Sequence, residues 1–527
     1  MNKNRLYLFY ALLLVGLLTL LGRLFELQVI LGAKNRAIAE GNRIRKVVEP
    51  APRGIIYDRH GQPLVRNVPI YRLRQEDCLP EEGDCFGVIT REEALKIEAQ
   101  GGEAAERLRV DVGRDYLYGA ALAQVLGYLG EADKEEVSGG VYQLGALVGR
   151  TGVEEIYDQT LRGQDGGEIF EVDSQNNKIR QIGKIEPVSG EDLHLSIDGD
   201  LSKIAFEALS GQKGAIVATD VQTGEVIVLV SSPSFNPDKI EAKVLTDPEL
   251  PMFNRAIGGV YPPGSTFKVV TAVAGIEEGK VDEQTIYEDT GQIKIGDYTY
   301  RNWYFTQYGR TEGAIDLVKA IKRSTDTFFY KVGEWVGATK LAQWARAFGL
   351  GRETGIDLPG EVTGLVPDPD WKEAVKGERW FLGNTYHFAI GQADLLTTPL
   401  QVNQMTSIIA SQGRLCQPQV KRLTEVNCQD LQLKPLTLKM VGEGMKQACS
   451  PEGTAFPFFE FSPQVACKTG TAEFNDPEGR THAWLTAFAP VDDPEIVVTA
   501  LVEAGGEGSD VAAPMVKKVM EAWFKKD

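Results

Sequence analysis

Histidine is almost missing from this chain of 527 residues: only His60, His194, His387 and His482 occur. A Ser-His-Asp hydrolase would need one of them beside a serine elbow, and no G-x-S-x-G is present, so that class is excluded. No C-x-x-C occurs either, which argues against a zinc ribbon. Basic residues are in deficit, 56 against 74 acidic, and the net charge of −18 makes nucleic acid an unsuitable partner. Internal repeats are lacking, which excludes a solenoid. Long apolar runs are also scarce: one stands at the amino terminus and no second one follows.

That run, Leu6 to Gly22, is 17 residues without a charge, preceded by Lys3 and Arg5 and ended by Arg23. It is just long enough to span a bilayer, with the Arg23 stem reaching back to the headgroups. A cleaved signal peptide is the alternative. The A-x-A match nearby, Ala37-Ile38-Ala39, lies well past the apolar core and behind Lys34 and Arg36, so an uncleaved anchor is expected. Basic residues on both sides orient the span only weakly, and the large folded mass downstream decides the topology.

The length calls for two or three domains. A polar, helix-compatible stalk from Glu26 to Arg45 is stopped by Pro50-Ala51-Pro52. Ile55-Ile56-Tyr57, the turn Asp58-Arg59-His60-Gly61 and Pro63-Leu64-Val65 read as strand, turn, strand. Residues 74 to 115 are weakly patterned, as in an inserted lobe. Val153 to Leu161 reads as one amphipathic helix closing the first domain. Beyond Asp192 the pattern changes to a strand, a helix opened by Asp200 as N-cap, and a hairpin of Gly214–Asp220 with Glu225–Val230. A mainly helical stretch from 265 to 350 and a return to strands, closed by a helix from Pro514 to Lys525, predict an α+β domain.

Six cysteines form three sequence-local pairs, Cys78/Cys85, Cys416/Cys428 and Cys449/Cys467. Six permit fifteen connectivities, and reduced, buried thiols are the alternative. A hairpin containing Pro80 and Gly83 is expected to bridge Cys78 to Cys85, outside the cytoplasm.

The chemistry centres on Tyr261-Pro262-Pro263-Gly264-Ser265-Thr266-Phe267-Lys268, which runs straight into the apolar Val269 to Ile276. Pro and Gly stop the incoming chain, so Ser265 falls at the mouth of a helix whose dipole favours a developing oxyanion. Lys268, at i+3, shares its face, and desolvation would lower its pKa enough to accept the serine proton. S-x-x-K alone is weak, and Ser210-Gly211-Gln212-Lys213 matches too, although Gly211 spoils its helical geometry. Ser265 read alone is better taken as a helix N-cap with a surface lysine. Lys468-Thr469-Gly470-Thr471 follows apolar Val465-Ala466-Cys467, as on a sheet-edge strand beside a cleft; Gly470 would let a substrate backbone approach, and lysine plus hydroxyl can grip a carboxylate. Between them stands Ser324-Thr325-Asp326, selected only by order, because Ser174-Gln175-Asn176, Ser196-Ile197-Asp198 and Ser234-Phe235-Asn236 match S-x-D/N as well.

S-x-x-K, S-x-D and K-T-G in this order resemble the signature of penicillin-binding proteins and class A β-lactamases. The likeness extends over nearly the whole chain. Arg53-Gly54-Ile55-Ile56-Tyr57-Asp58-Arg59, Gly152-Val153-Glu154-Glu155-Ile156-Tyr157 with Leu161-Arg162-Gly163, and Ala389-Ile390-Gly391-Gln392 with Thr398-Pro399-Leu400-Gln401 are similar to further motifs of the class B, monofunctional penicillin-binding proteins. The resemblance implies a penicillin-recognising transpeptidase fold, an antiparallel five-stranded sheet flanked by helices, on an elongated pedestal. It implies a cytoplasmic stub and anchor at 1–31, a pedestal at 32–195 with an inserted lobe at about 70–145, and a transpeptidase domain at 196–527. Ser265 would attack the bond between the two terminal D-alanines of a stem peptide, with Lys268 as base, and Ser324 and Lys468 relaying protons. Asp326, Thr469, Gly470 and Thr471 would hold substrate, and the amides of Ser265 and Thr471 would form the oxyanion hole. The implied partners are peptidoglycan stem peptides and lipid-linked glycan, β-lactam inhibitors, the inner membrane with the catalytic domain periplasmic, and a polytopic SEDS-type glycosyltransferase. No cofactor is implied.

Departures from the family pattern are informative. Asp326 replaces the usual asparagine, and S-x-D before Thr-Phe-Phe-Tyr resembles the elongation-type, penicillin-binding protein 2 subgroup more than the division type. Cys467 stands where glycine usually precedes K-T-G, and Ala393 replaces a glycine. Some elongation-type relatives carry a metal between the first two catalytic motifs, but residues 266 to 323 hold neither His nor Cys, so no metal is expected. His482, fourteen residues after Lys468, is a candidate for the cleft rim. A β-lactamase is disfavoured by the long amino-terminal module and the lack of E-x-x-L-N. A D,D-carboxypeptidase differs only in whether water takes the acyl group, and a catalytically dispensable scaffold for a glycan polymerase is the reading from another class.

Overall fold

The computed structural model describes residues 3–75, 86–142, 145–173, 178–422 and 424–525. Cys78, Cys85 and the Ser174-Gln175-Asn176 match lie outside the described residues. The chain packs as two compact units, one of residues 1–54, 67–113 and 162–191, the other of 55–66, 114–161 and 192–527.

In the first unit, helix α1 (Lys3–Phe25) continues through a wider turn, Glu26–Ile30. Lys3–Ile30 is, among the described residues, the one helix long and apolar enough to cross a membrane. The stalk is not one helix: Leu31 interrupts it, a helix runs over Gly32–Arg43, and at Ile44 the chain becomes strand β1 (Ile44–Glu49). β1 pairs antiparallel with β2 (Gly166–Val172), which pairs in turn with β3 (Lys178–Ile185). Glu171 of β2 accepts from both Arg43 and Arg180.

The second unit is built on a five-stranded antiparallel sheet. The hairpin β4 (Gly214–Asp220) and β5 (Val226–Ser232) joins β6 (Ala466–Glu473), β7 (Thr481–Ala489) and β8 (Ile496–Val502) in the order β5-β4-β8-β7-β6, which leaves β6 at an edge. Side chains alternate between its faces. Val497 and Leu501 join one apolar core, and Val498, Ala500 and Val502 the other. Helices α2 (Gly199–Leu209) and α10 (Ala512–Phe524) cover the second face. On the first lie α3 (Lys268–Glu277), buried from Lys268 to Ile276, and α8 (Pro399–Ala410), buried along its whole length. A helix apolar all round belongs inside a core, and α3 is such a helix.

Two local expectations are corrected. α2 is capped by Asp198, whose carboxylate accepts from Leu201 N at 2.9 Å, and Asp200 lies inside the first turn. Val153–Leu161 is two short helices, Gly152–Ile156 and Asp158–Arg162, broken at Tyr157. The Tyr157 hydroxyl donates to Asp357 at 2.6 Å, and the buried Glu154 carboxylate pairs with Arg114 at 2.8 Å, so side-chain anchoring overrides the helical period there.

Candidate active site

Tyr261 is bridged to Thr397, and after it Pro262-Pro263-Gly264 turns the chain. Ser265 follows within a 3-10 turn, Gly264–Phe267, one step before α3 begins at Lys268. It therefore sits on a tight turn leading into the helix and not on its first α-turn. The turn is held from behind: Gly264 N donates to the carbonyl of Gly391 at 2.8 Å. Gly391 has φ +75, and a Cβ there would run into the Gly264 carbonyl, so the A-I-G-Q motif backs the serine turn and admits only glycine. Two residues on, Ala393 has φ +61, the left-handed conformation that accounts for a glycine at this place in the wider family pattern.

Ser324-Thr325-Asp326 lies at the junction of α5 (Leu317–Arg323) and α6 (Asp326–Val336). Ser324 caps α5 with φ 55 and ψ 39, a conformation costly for a non-glycine residue, and its hydroxyl is thereby carried to the lysines. Lys268 Nζ donates to the Ser324 carbonyl (2.8 Å), Ser324 Oγ (3.2 Å) and Asp326 Oδ1 (2.6 Å). Lys468 Nζ donates to Ser324 Oγ (2.8 Å) and to the Thr469 carbonyl (3.0 Å). Both lysines are fully buried. Burial pushes the Lys268 amine below the ordinary lysine value, against the upward pull of Asp326. Lys468 is driven well below that value by burial first and then by the charge of Lys268, with Asp326 opposing.

The remaining partners were invisible in the sequence. Asp326 Oδ2 accepts from Trp303 N (2.9 Å), and Asn302 Oδ1 accepts from Asp326 N (3.2 Å). Thr469 donates to Thr454 Oγ1 (2.8 Å) and Thr471 to Glu507 Oε2 (2.7 Å). Gly470 has a packing reason to be small as well: a Cβ there would press on Thr266, Trp484 and the Pro263 carbonyl, so its smallness lets β6 lie against the serine turn. Ser265, Ser324, Asp326, Thr469 and Thr471 face one cleft of about 980 Å³, whose walls include Tyr298, Tyr300, Trp303 and Tyr330, with the lysines behind its floor.

Other sequence candidates fall elsewhere. Ser210 ends α2 with φ 49, and Lys213 pairs with Glu249 at 2.7 Å. Ser196 and Ser234 donate to backbone carbonyls. His482 is buried against Phe474 and accepts from Ala504 N through Nδ1 at 3.1 Å, so it supports the turn after β8 and does not line the cleft. Cys416 is bridged to Cys428 and Cys449 to Cys467, the latter side chain on the face of β6 opposite Lys468. Among the described residues no group of His, Cys, Asp and Glu is arranged to hold a metal.

A sheet-edge K-T-G strand, a serine turn ahead of a buried helix and a serine shared by two buried lysines define a penicillin-recognising transpeptidase. Residues 214–521 match the penicillin-binding-protein transpeptidase domain model, and residues 80–195 the penicillin-binding-protein dimerisation domain model. The chain is 32% identical to the peptidoglycan D,D-transpeptidase MrdA of Acinetobacter baumannii, over 99% of this chain and 88% of that one. It is 31% identical to MrdA of Escherichia coli K12, over 96% and 91%. Among solved structures, it is similar to penicillin-binding protein 2 of Helicobacter pylori, determined in complex with MreC, with a TM-score of 0.80, 28% identity and 91% and 98% coverage. It is also similar to a chain of a peptidoglycan synthase complex that coordinates polymerization and crosslinking, with a TM-score of 0.80, 31% identity and 99% coverage of both chains. The chain belongs to the penicillin-binding-protein transpeptidase family, in its elongation-type penicillin-binding protein 2 subgroup.

Proposed function

We propose that this protein cross-links peptidoglycan during cell elongation as a D,D-transpeptidase, with Ser265 as its acylated nucleophile. The reading rests on one observation above all: Ser265 and Ser324 open onto one cleft, and Lys268 and Lys468 share Ser324 Oγ behind it. Ser265 Oγ adds to the carbonyl of the penultimate D-alanine and gives its proton to Lys268. The C–N bond breaks, its electron pair leaves with the terminal D-alanine nitrogen, and that nitrogen takes a proton through Ser324. A neighbouring stem's amine then takes the acyl group from Ser265. Two buried ammonium groups around one hydroxyl are unfavourable, so the lysine pair shares a proton, and its transfer through Ser324 to Lys468 frees Lys268 to act as base. The amides of Ser265 and Thr471 serve as oxyanion donors, each worth roughly 10² to 10³ in rate. Thr469 and Thr471 hold the substrate carboxylate and backbone, Asp326 orients Lys268, and Gly470 seats the strand and leaves room for the substrate backbone.

We assign residues 1–31 to the cytoplasmic stub and anchor, 32–195 to the pedestal and 196–527 to the transpeptidase module, with the latter outside the cytoplasm. Two disulfides in the second unit support an oxidising location. The relatives' complexes, one with MreC and one a peptidoglycan synthase complex, support a synthase assembly, and in our reading a SEDS-type polymerase in it supplies lipid-linked glycan at the membrane. Purified full-length protein, given lipid-linked glycan polymer, is expected to form cross-linked stem dimers that penicillin abolishes; release of D-alanine with no dimer would show a carboxypeptidase instead.

A further inference from the structure

The loop after β8 reaches back to the cleft. Gly508 lies against β6: a Cβ on it would collide with the carbonyls of Trp484 and Gly470. Two glycine backbones in contact fix the level at which the preceding residue, Glu507, meets the strand. The amides of Asp510 and Val511 donate to the Glu507 carbonyl, so the residue is rooted in the approach to α10. Its side chain bridges the cleft: Oε2 accepts from Thr471 Oγ1 at 2.7 Å, and Oε1 accepts from Gln307 Nε2 at 3.4 Å. Gln307 belongs to the helix Trp303–Tyr308, whose first backbone amide holds Asp326.

A threonine hydroxyl has one proton to donate. While it is bound to Glu507, Thr471 has none for an incoming carboxylate, and any such anion also meets the glutamate's charge. We propose that Glu507 is a latch that closes the carboxylate subsite of the resting cleft and makes anionic donors displace it before Ser265 is acylated. The proposal rests on the reading that Ser265 is the nucleophile and that Thr471 binds the donor carboxylate. It makes Glu507 a specificity-determining residue, since a probe without a carboxylate has no need of the Thr471 hydroxyl and is not repelled.

The test is the second-order rate of Ser265 acylation in the full-length protein by two probes, a penicillin with a free carboxylate and the same penicillin as its methyl ester. Glu507→Ala is expected to speed the free acid about tenfold, the value of one recovered hydrogen bond to a charged group, and to change the ester less than about twofold. Glu507→Gln, which keeps an acceptor for Thr471 but no charge, is expected to fall between. Acylation of the unaltered protein by the free acid should rise with salt, and that rise should be smaller in Glu507→Gln, where the remaining acidic groups still repel the anion. Equal or slower acylation of the free acid in a Glu507→Ala protein with unchanged melting temperature overturns the latch. So does an equal gain for acid and ester, which would show a steric effect only. If the unaltered protein is labelled on a peptide lacking Ser265, the underlying assignment fails and the latch with it, a result distinguishable by mass mapping.

Discussion

Lys268 Nζ sits 2.6 Å from Asp326 Oδ1, and this pair opposes the base role that burial favours. The carboxylate stabilises the ammonium form, while desolvation drives the amine below its ordinary value and prevails. Asp326 also receives the Trp303 amide, so its two oxygens face two donors. An asparagine keeps one of them with its carbonyl, and its NH₂ can donate to a neutral Lys268. Asp326→Asn is therefore expected to keep at least roughly a tenth of the acylation rate, a loss no larger than about 1.4 kcal/mol. The sign of the pH effect follows: without the carboxylate's upward pull the folded-state Lys268 pKa falls further, and the acid limb of the acylation profile moves to lower pH. A thousandfold loss with folding intact, or a limb moved upward, would show that the carboxylate has a role of its own.

Cys467 immediately precedes Lys468 and is tied to Cys449, which caps helix α9 (Pro435–Ala448). Both cysteines are buried in the core that holds Leu209, Phe458 and Val516. The bridge closes a loop of 18 residues, for which the chain-entropy estimate is ~3 kcal/mol. The double replacement of Cys449 and Cys467 by alanine is expected to lower the melting temperature by several degrees and to change β-lactam acylation of the folded protein less than about tenfold. An unchanged melting temperature would refute the stabilising role.

Gly391→Ala addresses the support behind the serine turn. Its positive φ and the Gly264 carbonyl in its Cβ position make the change costly, more than about 1 kcal/mol in stability, and the relief available is displacement of Gly264 and with it Ser265. Acylation is expected to fall by about 10² while a circular-dichroism spectrum stays native, since a small displacement of a reacting group costs that much. Full activity in this variant would mean that the turn is held without the Gly391 contact.

What could be read from the residues, and what could not, divides along physical lines. Tyr261 to Ile276 announced a turn and a buried helix because Pro, Gly and an unbroken apolar run act locally. Ser265 was told from Ser210 by Gly211, and Ser210 ends α2 in a left-handed conformation. By contrast, Ser324 was chosen by order alone, since its left-handed backbone and the two amines around it depend on chain 56 and 144 residues away. The packing of Gly470 against the protein's own serine turn also gave no signal, because Thr266 and Pro263 lie about two hundred residues away in the chain. Glu507 gave no signal at all: an acidic residue in a loop acquires meaning only when Gly508 meets Gly470. Tyr157 broke an expected helix through a hydroxyl bonded to Asp357, 200 residues away.

The assignment of Ser265 itself carries the most weight. Its hydroxyl lines the cleft. A β-lactam that mimics terminal D-alanyl-D-alanine is expected to acylate it stoichiometrically, leaving a stable adduct because hydrolysis is slow. Ser265→Ala should abolish the adduct at a stability cost of about 1 kcal/mol or less. Lys268→Ala should lose acylation nearly as completely, since residues that move one proton act as a unit and their losses do not add. It also strips Asp326 of its cation, so thermal unfolding must be recorded beside it. Ser210→Ala and Lys213→Ala supply the control: Ser210 caps α2, Lys213 pairs with Glu249, neither lines the cleft, and neither should change the label or its rate. Peptide mass mapping decides the matter, and an adduct on any peptide lacking Ser265 would overturn the assignment.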